Sequence, residues 1–218
     1  MNGPIDAFWE RKIDHCRDAF ERNRFEVHTA AGIDAVKPLI LEEIFPKLSV
    51  SSVSWGDSVS MLSSGILAAI EQMPGIRLIR TFEEGVSREE LVERRRQALL
   101  VDLFLTGSNA ATGCGKLVNL DMIGNRVAGL TFGPRHVIVV LGRNKLVSDV
   151  AAAMARVKQL AAPMNAIRHT GWKTPCVKTG ECMDCKSPHR ICNTWTITEK
   201  AYPKGRIKII LVNEDLGL

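Results

Sequence analysis

The chain reads as an α/β protein with a mostly parallel sheet and helices on both faces, and three observations lead there. Strand-like and helix-like segments alternate along most of its 218 residues. Some strand-like runs are apolar at every position, most clearly residues 137–141, stopped by Gly142. A strand buried on both faces reads this way, because crossover helices cover both sides of a parallel sheet. Finally, 45% hydrophobic against 24% charged side chains supply one substantial core and argue against disorder.

Each element has its own signal. Residues 5–23 place Ile5, Phe8, Trp9, Ile13, Cys16 and Phe20 at helical spacing. A short strand follows at 25–28. Residues 32–45 form a second helix that starts or bends at Pro38, whose ring removes a backbone donor. The β-branched run 48–54 is a strand leading directly into Trp55-Gly56-Asp57-Ser58 and a helix over 58–72. A strand at 76–79, a helix at 88–100 and a buried strand at 101–105 ending at Thr106-Gly107 come next. After the strand at 137–141, an alanine-rich helix at 148–161 is ended by Pro163. A cysteine-bearing loop then precedes strands at 194–198 and 206–212. The helical pattern stops near Gly171. The expected organisation is therefore residues 1–170 as the α/β domain, with residues 171–218, the Cys-rich loop and closing strands, packed on it.

Several function classes are disfavoured. The N-terminus carries Asp6, Glu10, Arg11 and Lys12 without an apolar stretch of leader length, so export is not expected. No run reaches membrane-spanning length, and a cytoplasmic location is the expectation. The net charge of +5 is spread along the chain. Its densest group, Arg94–Arg96, follows Glu89, Glu90 and Glu93 in an order that suits a helix dipole, and reads as a solvated helix face. Nucleic acid is not an expected partner.

Four cysteines carry the sharpest chemical signal. Cys176, Cys182, Cys185 and Cys192 form a C-x5-C-x2-C-x6-C array, with Pro175, Gly180 and Pro188 shaping the loops between them. In a reducing compartment such clustering points to metal rather than disulfides, and the x2 spacing lets one turn present two thiolates to one centre. Zinc takes four thiolates tetrahedrally. An iron–sulfur cluster also takes four, and C-x5-C-x2-C is nearer to one ferredoxin order than to paired C-x2-C ribbons. His189 lies inside the loop as an alternate ligand.

A second candidate site comes from loops after predicted strands, where open α/β sheets bind ligands. Gly56 and Ser58 open a helix and could hold an anion. Thr106, Gly107 and Asn109 follow the strand at 101–105; Asn119, Asp121, Asn125 and Arg126 lie within eight residues of one another; Arg143, Asn144 and Lys145 follow the strand at 137–141. Together they predict a pocket for an anionic small molecule, phosphorylated or carboxylated, with Asp121 as the candidate general base. Cys114, between two glycines, reads first as a small turn residue and second as an accessible thiol.

Longer motifs add a resemblance. T-G-S-N-A, L-V-N-L-D, G-N-R-V-A, F-G-P-R-H-V-I-V-V, G-R-N-K, A-A-P-M-N-A, T-P-C-V-K-T-G-E-C-M-D-C and I-L-V-N-E-D-L-G-L resemble the lactate-utilisation, or LUD domain, family, in its short cysteine-bearing branch of unknown activity. The resemblance implies a fold similar to sugar-phosphate isomerases and CoA transferases. It also implies a link to lactate oxidation, and so favours an iron–sulfur cluster of the 4Fe–4S type, zinc being the alternative. Thr112-Gly113-Cys114-Gly115 lacks an expected acidic pair, and Asp57 and Met122 stand where the family pattern has glycine. Covalent CoA transfer is thereby disfavoured. Two functions follow: an accessory or electron-transfer component of hydroxy-acid utilisation, acting with other lactate-oxidation proteins, or a small-molecule enzyme or sensor with a structural zinc. A homodimer is one assembly either would accept.

Overall fold

The computed structural model describes residues 3–218; Met1 and Asn2, which open the stretch read for a leader, lie outside the described residues. The strands, in chain order, are β1 (Glu26–Ala30), β2 (Ser52–Trp55), β3 (Arg77–Ile79), β4 (Leu103–Gly107), β5 (Ala110–Thr112), β6 (Leu117–Asp121), β7 (His136–Gly142), β8 (Leu146–Val147), β9 (Thr194–Thr198) and β10 (Ile207–Val212). The helices are α1 (Pro4–Arg22), α2 (Val36–Pro38), α3 (Val59–Ser63), α4 (Ile66–Glu71), α5 (Arg88–Gln97), α6 (Asn125–Thr131), α7 (Val150–Arg156), α8 (Ala162–Ile167) and α9 (Pro175–Thr179).

Six strands form a wholly parallel sheet in the order β1-β10-β7-β4-β2-β3. Successive residues of β7 alternate between its two faces. Val137, Val139 and Leu141 pack with Phe20, Phe104 and Ile209 on one side, while Ile138 and Val140 pack with Val53, Met61 and Ile210 on the other. The expected parallel sheet with helices on both faces is present. On its first face α1 buries Ile13, Cys16, Ala19 and Phe20 at helical spacing. The first turn departs from expectation: Ile5 and Phe8 are exposed rather than core.

A second sheet, ordered β8-β5-β6-β9, contains one expected strand, β9, while β5, β6 and β8 have no counterpart in the sequence reading. β5 and β6 form an antiparallel hairpin, β9 extends it, and β8 pairs parallel to β5. Its strands are short and interrupted by Thr112, Asn119 and Asp121, which read as loop residues in sequence. Asn119 and Asp121 thus lie on a strand, and α6, also unexpected, carries Asn125 and Arg126. β10, from the segment 171–218, lies inside the main sheet between β1 and β7, so that segment is woven into the α/β domain.

Both prolines lie beside a wide helical turn. After Pro38 the helix continues as a π-helical stretch over Leu39–Ile44, so that proline marks a change of winding near the start of the helix. Pro163 does not end the alanine-rich helix as expected. A π-helical stretch over Val157–Ala161 precedes it, opening the turn that its ring would otherwise crowd, and α8 runs on to Ile167. The helix predicted over 58–72 is split into α3 and α4 by Gly65, whose φ of 68° lies in the left-handed region. No helix among the described residues is long and apolar enough to cross a membrane.

Candidate functional site

The carboxyl ends of β2, β3, β4, β7 and β10 all turn toward the small sheet, and between them lies a cavity of about 580 Å³. Asp57 and Ser58 reach it from β2, Phe82 from beyond β3, Gly107, Ser108 and Asn109 from β4, and Lys145 from beyond β7. Asp121, Asn125 and Arg126 close it from the small sheet and α6. Its remaining wall comes from the end of α8 and from the cysteine loop, through Arg168, His169, Trp172, Pro188, His189 and Ile191.

Its floor is a hydrogen-bonded network centred on Arg126, which is 8% exposed. The guanidinium donates through Nη1 to Asn119 Oδ1 at 2.7 Å, and through Nη2 to Asn109 Oδ1 at 2.9 Å and the Leu120 carbonyl at 3.0 Å. Asn119, fully buried, also accepts from Ser108 Oγ and the Asn109 amide. Burial pulls the Arg126 pKa below its ordinary value, while Asp121 and Asp57 oppose that shift. The arrangement spends the guanidinium on protein acceptors and makes Arg126 a clamp joining β4, β6 and α6. Gly56 packs beneath it, where a Cβ would stand 2.8 Å from Arg126 Cγ.

Asp121 caps α6. Its Oδ2 accepts from the Arg126 and Val127 amides at 3.1 and 3.2 Å, and Oδ1 from the Met122 amide at 2.9 Å. With three amides on its oxygens, the carboxylate is committed to holding the helix terminus rather than placed as a free base. Thr106, its hydroxyl donating to the Gly107 carbonyl, is buried behind the wall. Arg143 and Asn144 point away: Arg143 pairs with Asp215 at 3.0 Å and lies over the Trp9 ring, and Asn144 Oδ1 accepts from the Leu216 amide. Of that turn, Lys145 alone enters the cavity.

Sequence reasoning missed three cations that line the cavity, Arg88, Arg95 and Arg168, of which Arg95 is the most buried. Within the basic run Arg94 pairs with Glu83 and Glu90, and Arg96 with Glu93, as a solvated face would. Arg95 instead turns inward over the Phe82 ring at 5.1 Å, and its Nε is buried without a hydrogen-bond partner. Burial lowers its pKa, with Asp57 acting in opposition. The signal was available: Arg88, Val92 and Arg95 are spaced four and three apart, share one face of α5, and all line the cavity. Arg168 is not free in the same way, being paired with Asp57.

The cysteine loop adjoins this wall. Cys176, on α9, and Cys182, Cys185 and Cys192 line one small cavity together with Pro163, Met183 and Ile191, and all four are partly buried free thiols. Arg190 ties the loop together, donating to the Cys185 carbonyl at 2.7 Å and the Cys192 carbonyl at 2.8 Å. Lys158 and Arg190 both pair with Asp184 and lie close enough to the thiols to feel their charge. The loop thus sets four thiols around one small cavity with two cations beside it. Among the described residues, no three His, Cys, Asp or Glu side chains close on a point that could hold a metal ion. His189 faces the larger cavity, with its ring 6.2 Å from Trp172. Cys114 and its flanking glycines form the β5–β6 turn against α1, where a Cβ on Gly115 would meet Ala19 at 2.6 Å; none of them lines the cavity.

Fold and site together define an α/β protein with a cavity at the carboxyl edge of a parallel sheet, one wall of which adjoins a cysteine array. The LUD domain family model matches residues 13–212, and the chain belongs to this family, which is linked to lactate utilisation. Among solved structures it is similar to the crystal structure of a DUF162 family protein from Deinococcus radiodurans. The TM-score is 0.51 at 15% identity, covering 94% of this chain and 98% of that one, a likeness of fold. No curated protein matches the chain.

Proposed function

We propose that this LUD domain protein binds a small anionic molecule in the carboxyl-edge pocket and holds an iron–sulfur cluster on Cys176, Cys182, Cys185 and Cys192, serving as an electron-transfer or accessory component of hydroxy-acid utilisation. The observation that carries this reading is the shared wall: Ile191 lines both cavities, and Trp172 and His189, the latter within the cysteine loop, line the pocket. When bound, the cluster supplies one-electron transfer beside the ligand. Arg95 offers the anion a buried donor without a protein partner. Arg126, Asn109 and Asn119 hold the floor rigid beneath it, and Arg190 and Lys158 offset thiolate charge.

Anaerobic purification followed by iron, sulfide and zinc analysis with visible absorption tests the cluster. About four irons per chain with a reducible charge-transfer band is the expected result. A colourless protein holding one zinc overturns it in favour of a small-molecule enzyme or sensor with a structural metal. Thermal-shift titration with L-lactate and inorganic phosphate tests the pocket. Stabilisation that disappears in Arg95→Gln supports it; stabilisation unchanged by that variant rejects the proposed anion site.

A further inference from the structure

Among the described residues, Lys145 is the one lysine that lines the cavity. It is 5% exposed, and its Nζ lies 3.2 Å from Ser60 Oγ, itself fully buried. The charged groups acting on it are Arg126 and Arg156, both cations whose guanidinium groups donate to protein oxygens. Among the described residues, no carboxylate side chain is one of the charges acting on it. A buried amine between two cations gives up its proton readily, because desolvation and like charge both penalise the ammonium form. Both effects bring the Lys145 pKa down from 10.5 to about 7, leaving a large fraction as free amine at neutral pH. Local geometry aims it inward: Arg143 is held outward by Asp215 and Asn213, and Asn144 by Leu216, so the turn after β7 delivers the lysine alone to the pocket.

We propose that Lys145 is a nucleophilic amine that condenses with the carbonyl carbon of a small carbonyl compound bearing an anionic group, forming a Schiff base in the pocket. The inference rests on the pocket being a ligand site and deepens it by naming the class of ligand. The Nζ lone pair forms the C–N bond as the carbonyl π bond breaks onto oxygen, and that oxygen takes up the proton leaving nitrogen. The carbinolamine then loses its hydroxyl as water with a second proton, leaving the imine. One amine and one carbonyl give one imine and one water, and no electrons are gained or lost. Arg95, with its unpartnered Nε, is the donor placed to hold the anionic group. Ser60 Oγ fixes the direction of the amine.

The test uses borohydride trapping with two probes on the whole protein, read by peptide mass spectrometry. Glyoxylate is a carbonyl bearing a carboxylate, and formaldehyde lacks one. The expected result is reduced adduct on Lys145 with both probes at pH 7.5, at least tenfold faster than on exposed lysines. Arg95→Gln should cut the glyoxylate adduct about tenfold and leave the formaldehyde adduct unchanged. Labelling of exposed lysines with Lys145 silent toward both probes overturns the nucleophile. Formaldehyde labelling without any glyoxylate preference keeps the reactive amine but overturns the anionic carbonyl class, and with it the anion pocket. Lys145→Met, checked for an unchanged circular dichroism spectrum, must lose the fast site; retention of that site places the reactive amine elsewhere and rejects the assignment.

Discussion

Arg126 and Arg95 line the same pocket, and their roles separate under substitution. Arg126→Ala removes four hydrogen bonds from a charged donor, at 2.7, 2.9, 3.0 and 3.5 Å, and the methylene stem packed over Gly56. Hydrogen bonds to a charged group contribute about 1.5–3 kcal/mol each. Part of this is offset, since the variant no longer buries a cation, and the net loss expected is about 3–5 kcal/mol. For a chain of this size that is a fall in melting temperature on the order of 10 °C. Arg95→Ala removes a cation lying over Phe82 at 5.1 Å with no hydrogen bond at Nε, and should cost about 1 kcal/mol or less. Urea unfolding of both variants at pH 7.5 measures the difference, with phosphate affinity measured alongside. Arg126→Ala should lose stability first and affinity as a consequence, whereas Arg95→Ala should lose affinity with stability nearly intact. Equal destabilisation by the two variants, or a loss under about 1 kcal/mol for Arg126→Ala, would refute the clamp.

Four further outcomes are expected. Lys145 carries a proton in the unfolded chain up to its ordinary 10.5 but in the folded chain only up to about 7. The unfolded state therefore binds more protons across that interval, and wild-type stability rises with pH between about 7 and 10.5; Lys145→Met should flatten this rise in urea midpoints. Asp102 accepts from the amide and hydroxyl of both Ser51 and Ser52, which pulls its pKa from 3.8 down to about 2. Its contribution is present above pH 3.8 and lost as pH falls through 2, so Asp102→Asn should be less stable than wild type at pH 6, with the gap closing near pH 2. Gly115→Ala places a Cβ 2.6 Å from the Ala19 carbonyl at a φ of 78°, and should cost about 2–3 kcal/mol in chemical denaturation. Cys182→Ser should lower bound iron and alter tryptophan fluorescence through Trp172; unchanged iron content would remove Cys182 from the ligand set.

The main sheet was legible because its central strands, β2, β4, β7 and β10, are buried on both faces. Residues 137–141 are apolar throughout, the closing strand is interrupted only by Lys208, and α1 shows its buried face at helical spacing. The small sheet was not legible, since β5, β6 and β8 span two to five residues and place Asn119 and Asp121 on a strand. Polar residues on so short a strand are satisfied by tertiary partners, here Arg126 and the amides of α6, and no local pattern records partners that are distant in the chain. The same limit governed the site. Sequence could gather Asn109, Asn119, Asp121 and Arg126 into one region but not distinguish a clamp from a ligand donor, because that depends on which hydrogen bonds the protein already fills. Arg95 was masked by Arg94 and Arg96, whose ion pairs make the run look uniformly solvated.

Residues 171–218 change meaning once their path is traced. A cysteine loop on an appendage would be free to hold its metal without consequence for the pocket. Here the chain leaves α8, forms the Trp172 wall, passes through Cys176, Cys182 and Cys185, returns to the wall at His189 and Ile191, reaches Cys192, and then enters both sheets as β9 and β10. β9 pairs along β6 from Leu117 to Asp121, the strand that supplies Asn119 to the pocket floor. β10 lies beside β7, whose following turn delivers Lys145. A change in the packing of the loop therefore bears on the wall directly and on the floor through strand register, and because a packed sheet resists sliding, the effect at the pocket is one of alternative wall positions rather than gradual deformation. On the proposed reading, metal occupancy and ligand affinity are coupled, and linkage requires the coupling to run both ways: the ligand that binds better to the loaded protein must also tighten its hold on the metal.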